Sequence, residues 1–543
     1  MGKTIRLPVK PNMRKTPFVC VVVCAALAGA LHAQETAKPK SLMAAFSVAE
    51  LPCDNFETCR KATAEGSPEN REKAASKLLT FGKDGVAALA ELSNSADADI
   101  RKTVTRTLTS NRQKTAPLLM ELFKDPDSRV RENAAGLLGR FWDVVPVAGL
   151  AEALKDPSSR VRAKAARTLG NKGSEAKNAV PALTEALKDA DSYVRENAAE
   201  ALGNIGPAAK DAIPALINSL DDTDKPVREK AIEALGKLGQ EAKAAVPALA
   251  KSLKDPAAGV RQKAAWALFN LGPAAYAAAI ELSAALGDQD REVRGPAAKT
   301  LVLIGGTAVP PLINILSSEA DGWGVTETIE ALGGIGRPAV PALAEALKSG
   351  DVRLRARAVS TLERIGRPAK DALPGLKILL ASADEDSRYN ILKALWRIEP
   401  PPWAVIEKHL KDRDFCVEIL AVSELSRRDL NAKQAVGALL NVLQDEDFLV
   451  RSAAFTPLSL WEEKAKDAVP ILIAILLNPE SHNRMDAAFT LGRIGPAAKD
   501  AVPALKKALE DGDQFLRQRA TKALKEINSE EEHKKGFHYG PRR

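Results

Sequence analysis

The sequence predicts an all-α fold, an α-solenoid wound as a right-handed superhelix of about fifteen antiparallel helix pairs. Three observations carry this. One frame returns every 30 to 33 residues through most of the 543-residue chain. VPALTEALKDADSYVRENAAEALGNIGPAAKDA begins at Val180, and IPALINSLDDTDKPVREKAIEALGKLGQEAKAA follows at Ile213. A period of this size marks one supersecondary unit stacked on copies of itself. Aromatics make up only 4% of residues while 45% are apolar. That argues against sandwiches and barrels, and the regular recurrence of apolar residues argues against a disordered polymer. Finally, the apolar positions within a unit follow helical spacing: Val194, Ala198 and Leu202 stand at i, i+4 and i+8.

The chain opens on a segment with the marks of a secretory leader. Lys3, Arg6, Lys10, Arg14 and Lys15 precede an apolar run of 14 residues from Phe18 to Leu31, and no acidic residue occurs before Glu35. The run is shorter than the ~20 residues that span a bilayer, and small residues follow it, so cleavage is expected after Ala33. Ala28-Gly29-Ala30 offers a second site. Removing the leader takes five cations from 78, leaving 73 basic against 70 acidic residues. The apparent basicity is mostly an address signal, which argues against nucleic acid as partner. The expected location is the periplasm or the medium, with no membrane span after cleavage. Cys20 and Cys24 follow Val19 and Val23, not the small residue a lipid-anchored cysteine requires.

Residues 34–54 read as a linker or cap. Export to an oxidising compartment makes a disulfide between Cys53 and Cys59 the expected pairing. Two cysteines with no histidine nearby make a poor zinc site. Cys416 reads as a small buried hydrophobe.

The array is expected over residues 55–528. Anchored on the position of Pro181, successive units fall at Ala87, Pro117, Ala148, Pro181, Pro214, Pro247, Ile280, Pro310, Pro341, Pro374, Ala404, Gly437, Pro470 and Pro503, after one incomplete unit containing Arg71. Proline suits the first turn of the first helix. An Asp-rich turn such as Lys188-Asp189-Ala190-Asp191 closes that helix. The second helix starts near Val194 and is expected to end through Gly203 and Gly206. The apolar run Ile471–Leu477 fills a first-helix slot and reads as core.

The turn Asp-x-Asp-x-x-Val-Arg followed by Ala-Ala-x-x-Leu-Gly resembles the HEAT repeat, particularly the bacterial HEAT-like class associated with phycobilisome lyases. Its arginine position holds Arg101, Arg131, Arg162, Arg195, Arg228, Arg261, Arg294, Arg355, Arg388, Arg451, Arg484 and Arg517. The resemblance implies that these are structural rungs, each paired with the Asp of the preceding turn. Glu196, beside Arg195, is expected to face away from the apolar stripe.

Two units depart from this frame. Trp323-Gly324-Val325 replaces the arginine in one and Glu418 in the other, and Pro400-Pro401-Pro402-Trp403 must interrupt the helices. A partner needing a fixed register would find it there, with Trp323 and Trp403 as anchors. One further row recurs nine residues after the rung: Arg140, Asn171, Asn204, Lys237 and Asn270, then Arg364, Arg397, Arg427 and Arg493. Cations near helix C-termini complement the dipole; as a surface, Arg364, Arg397 and Arg427 become candidate contacts for a partner.

Catalytic constellations are missing from the sequence. His409, His482, His533 and His538 form no His-Glu-x-x-His motif, and the chain has no His-Glu dipeptide of the kind that holds iron in the HEAT-repeat deoxyhypusine hydroxylases. The Leu-Gly-x-Ile-Gly runs follow helices, where a phosphate loop would follow a strand. The tail, residues 529–543, has no apolar period and reads as disordered. The function expected is therefore an exported, non-enzymatic scaffold without cofactor, binding a protein partner through its concave surface. A polyanion-binding solenoid and a lyase-type modifying enzyme are the alternatives.

Overall fold

A computed structural model describes residues 53–318, 322–427 and 430–528, with backbone alone at Trp323, Glu385 and Asp386. The leader, the linker to residue 52, the tail with His533 and His538, and the Trp323 side chain lie outside the described residues. The described residues form helices and turns, with no strand among them. The chain divides into two compact units, one ending at Val145 and the other beginning at Pro146.

The first unit contains three helix pairs, Phe56–Glu65 with Pro68–Leu78, Gly82–Leu92 with Ala98–Ser110, and Arg112–Leu122 with Ser128–Leu138. The Cys53–Cys59 disulfide ties the stretch ahead of the first helix to its opening turn. Asn55 and Thr58 complete that start with a reciprocal capping box, each bond 3.0 Å. Pro117 does not open its helix, because the residues that form a connector elsewhere extend this helix back to Arg112.

The second unit contains twelve pairs, from Val147–Ala153 with Ser159–Asn171 to Val502–Ala508 with Gln514–Asn528. With the first unit this makes fifteen pairs, as the repeat frame predicts. First helices run only 6 to 11 residues here, too short to persist alone in water. They persist because each buries an apolar stripe against its partner and the next pair, the one-dimensional logic of a solenoid. Val194, Ala198 and Leu202 are fully buried, as is Leu183 on the facing first helix. Asp191 caps the second helix by accepting from the Tyr193 amide at 2.9 Å.

The two glycines of that helix have different jobs. Gly206 ends it with φ of +71°, a conformation side chains avoid. Gly203 does not end it; it lies inside Ser192–Ile205, where an added Cβ would sit 2.8 Å from the Ala234 Cα. The Leu-Gly element thus lets neighbouring second helices approach closely. Ile471–Leu477 lies within the first helix Val469–Leu477, with Leu472 and Leu476 in the core.

Residues 291–316 form a helical run long and apolar enough to cross a membrane. The run breaks at Gly305, φ +71°, into Arg291–Ile304 and Val309–Leu316. At 1.5 Å per residue neither piece reaches the ~30 Å of a bilayer core.

Candidate functional site

The rung arginines define the seam along which the turns stack. Arg195 shows the full pattern. Its Nη1 donates to the Asp189 and Ala190 carbonyls at 2.9 and 3.3 Å. Its Nε and Nη2 fork onto the Asp222 carboxylate at 2.7 and 2.9 Å, and Nη2 also reaches Asp224 at 2.9 Å. The expected pairing is therefore corrected: the preceding turn offers its carbonyls, and the carboxylate comes from the following turn, 27 residues on. The Asp189 carboxylate is already taken by Arg162, at 2.6 and 2.8 Å. Arg228 with Asp255 and Arg261 with Asp288 repeat the fork, as bidentate geometry favours. Burial works to raise the Asp222 carboxyl, but bonds from Arg195 and the Asp224 amide outweigh it and hold it below the usual range.

Elsewhere the bonds of the rung vary from unit to unit. Arg101, Arg131, Arg294, Arg355, Arg451 and Arg517 keep the carbonyl bonds of their own turn. Arg294 adds an ion pair with Glu327 at 3.6 Å. Arg388 grips Asp412 at 2.7 and 2.6 Å, and Arg484 pairs with Asp511. Glu418 occupies a rung position with the wrong sign and is 9% exposed. Burial and the nearby Asp445, Asp412 and Asp447 push its carboxyl up to about 7.

The contacts expected at the irregular units separate into structural and available groups. Arg427 is a clamp, donating to the Pro401 carbonyl at 2.9 Å and to Glu424 at 3.3 Å. The triple proline carries the chain between helices Glu385–Ile398 and Trp403–His409, and Trp403 opens the second of these half-buried. Arg364 is exposed and held by Glu330 at 3.0 Å; it lies across Gly333, where a side chain would collide with it. Arg397 is exposed and makes no side-chain hydrogen bond or ion pair among the described residues.

Arg364 and Arg397 come together in a hollow of about 600 Å³ on the second-helix layer, with Ile329, Lys393, Trp396, Leu420 and two carboxylates, Glu363 and Glu424. Lys393 is held by Glu363 at 3.0 Å, which raises its pKa. Of the remaining row, Lys237 donates to Asn204 at 2.8 Å and Arg493 pairs with Glu462 at 2.7 Å. Among the arginines of the row, Arg397 is the one that makes no side-chain hydrogen bond or ion pair among the described residues.

His409 is buried, its Nδ1 2.7 Å from the Val405 carbonyl and its ring edge-on to Trp396. His482 packs its ring against Phe448. Cys416 is free and half-buried, more open than expected. No group of three His, Cys, Asp or Glu residues among the described residues has the geometry to hold a metal ion.

The family described as HEAT repeats matches the sequence in seven stretches, at residues 85–148, 147–218, 180–269, 213–301, 246–331, 309–396 and 469–534. No curated protein matches it. Among solved structures, the chain is similar to Kap121p at 15% identity and a TM-score of 0.50, covering 82% of this chain and 57% of that one. Kap121p bound to Nup53p gives 15% and 0.50, over 86% and 56%. Kap121p bound to the extreme C-terminus of the protein phosphatase Cdc14p gives 16% and 0.50, over 90% and 57%. The chain spans little more than half the length of these structures, and the likeness is one of fold.

Proposed function

The chain belongs to the HEAT-repeat family, and from that premise we propose that it is an exported, non-enzymatic solenoid that holds a protein partner on its second-helix face. The observation that carries the reading is the hollow around Arg364, Lys393 and Arg397. Two of its cations are held by single carboxylates, and the third makes no side-chain hydrogen bond or ion pair among the described residues. Apolar walls from Ile329 and Leu420 and the edge of Trp396 give a partner side chain something to bury against. The chemistry fits an acidic stretch of protein lying along the layer. The same architecture in Kap121p accommodates Nup53p and the C-terminus of Cdc14p, which supports a protein ligand.

Charge reversal at Arg364 and Arg397 together is expected to weaken capture of the partner about tenfold or more, with a steeper loss at low salt. The partner is first isolated from an envelope extract on the wild-type protein, and affinity is then measured with the purified pair. Undiminished binding by the reversed variant would remove this surface from the site. A partner displaced equally well by any sulfated polysaccharide would favour a polyanion binder instead.

The export half of the proposal is supported by the leader and by the Cys53–Cys59 bond, which suits an oxidising compartment. The mature protein is expected to begin near Gln34. N-terminal sequencing that finds Met1 on a cytoplasmic pool would reject it.

A further inference from the structure

The rung at Arg355 is half empty, and a cleft opens beside it. Its Nη1 keeps the bond to the Ser349 carbonyl at 2.7 Å, so the guanidinium is anchored as in the intact rungs. The position 27 residues on, which holds Asp189, Asp222, Asp255 or Asp288 after Arg162, Arg195, Arg228 and Arg261, is Ser382. The rest of the Arg355 fork makes no hydrogen bond or ion pair among the described residues, although its charge helps to lower the carboxyl of Asp384, which lines the same cleft. Asp384, the second acid of that turn, caps the Ser387 amide at 2.9 Å. It is the equivalent of Asp224, and at Arg195 one guanidinium serves that position and a further carboxylate together.

Arg451 also has a neutral residue, Asn478, where the aspartate would be. What sets Arg355 apart is the cleft of about 540 Å³ that it shares with Val352, Ile378, Leu379, Ser382 and Ile391. Ile391 lies buried at its base, while Ile378 and Val352 are 74% and 58% exposed at its rim. Exposed branched apolar side chains around a preset cation form an amphipathic receptor. The intact rungs show what the cation takes: a carboxylate seated on Nε and Nη2.

We propose that this cleft binds a short segment of a partner protein in which an acidic residue is flanked by apolar ones, its carboxylate replacing the missing aspartate of the rung and its apolar neighbours covering Ile378 and Val352. The inference rests on the reading of the chain as a protein-binding solenoid, but it places a contact on the turn seam, apart from the second-helix hollow.

The test uses the full-length purified protein and a fluorescein-labelled capped peptide, Leu-Asp-Leu-Leu, with Leu-Asn-Leu-Leu as control, read by fluorescence anisotropy. Saturable binding of the Asp peptide is expected, about tenfold or more weaker for the Asn peptide. Ser382→Asp should weaken it comparably while raising the melting temperature, because the internal carboxylate completes the rung and fills the fork. Arg355→Gln should also lose binding. Equal affinity for the two peptides, binding that survives Ser382→Asp, or no saturable binding would each overturn the proposal. Binding that survives Ser382→Asp but is lost on reversing Arg364 and Arg397 would overturn the cleft while leaving the second-helix reading intact. If instead the cleft behaves as expected but those reversals spare the natural partner, the hollow alone is rejected.

Discussion

Arg195→Ala is expected to lower the stability of its region by about 2–4 kcal/mol, while Glu196→Ala, one residue away, changes it by less than about 0.5 kcal/mol. Both remove a charged side chain from the same helical turn, but they remove different things. Truncating Arg195 strands the Asp222 carboxylate, whose side chain is only 11% exposed, and frees the Asp189 and Ala190 carbonyls. Uncompensated buried charge is the costly outcome of breaking such a pair. Glu196 is half-buried, contrary to the outward placement the sequence suggested, and has no such partner. Burial first, then Glu200 and Glu229, push its carboxyl up against the pull of Lys230. Removing it takes away a charge the site already disfavours. Because a solenoid can open unit by unit, denaturant melts need amide exchange across residues 180–240 beside them. Equal losses in both variants would remove the rung as a source of stability.

The array was legible because the information is repeated. A proline, an Asp-rich turn and a Val-Arg pair recur often enough that noise in one unit is corrected by the others, and fifteen predicted units became fifteen pairs. The direction of the rung was not legible. Within one unit the nearest aspartates to Arg195 in sequence are Asp191 and Asp189, and only stacking brings Asp222 alongside. Pairing across units is a property of the fold.

The candidate site was legible in part, for a related reason. Arg364 and Arg397 were found by their shared register, and they do meet in one hollow. Arg427 has the same register, but the Pro400–Pro402 detour places the Pro401 carbonyl within its reach, and it becomes a clamp. The vacancy at Arg355 was written in the sequence as Ser382, but it carried no meaning until the 27-residue pairing was known. The same holds for Glu418, whose partner position is occupied by Asp445.

Both positions lie in the least regular stretch of the second unit, which also holds the unit of Trp323-Gly324-Val325 with no rung arginine. Four full rungs run in succession from Arg162 to Arg261. Beyond them come a longer pair at Arg294, a vacancy at Arg355, a full fork at Arg388 and an inversion at Glu418. The apolar cleft and the basic hollow both fall within this stretch. At Arg355 the missing aspartate and the open apolar cleft fall at the same place.

Glu418 makes the energetic consequence measurable as a dependence on pH. It stands 27 residues before Asp445 and six after Asp412, the arginine's place in a rung, and its side chain makes no hydrogen bond or ion pair among the described residues. Asp412 is held by Arg388 on the preceding second helix, and Arg451 of the next one is bonded to the Asp445 and Glu446 carbonyls. Buried, and facing Asp445, Asp412 and Asp447, its carboxyl titrates near 7, against the usual 4.5. The folded chain therefore keeps a proton that the unfolded chain releases from about pH 4.5 upward. Stability must fall as pH rises through 4.5 to 7, and the cost is fully present above that window, on the order of 1–3 kcal/mol. Carboxyls held low by the rungs, such as Asp222 and Asp412, act below 3.8 and with the opposite sign. Glu418→Gln should abolish most of the decline between pH 5 and 8 while matching wild type at pH 5. Glu418→Arg should go further and stabilise the chain at pH 8, because it restores a guanidinium opposite Asp445. Denaturant midpoints of the three proteins at the two pH values decide it. Parallel pH profiles for wild type and Glu418→Gln would show that the carboxyl titrates normally and that the seam tolerates the inverted charge through solvent.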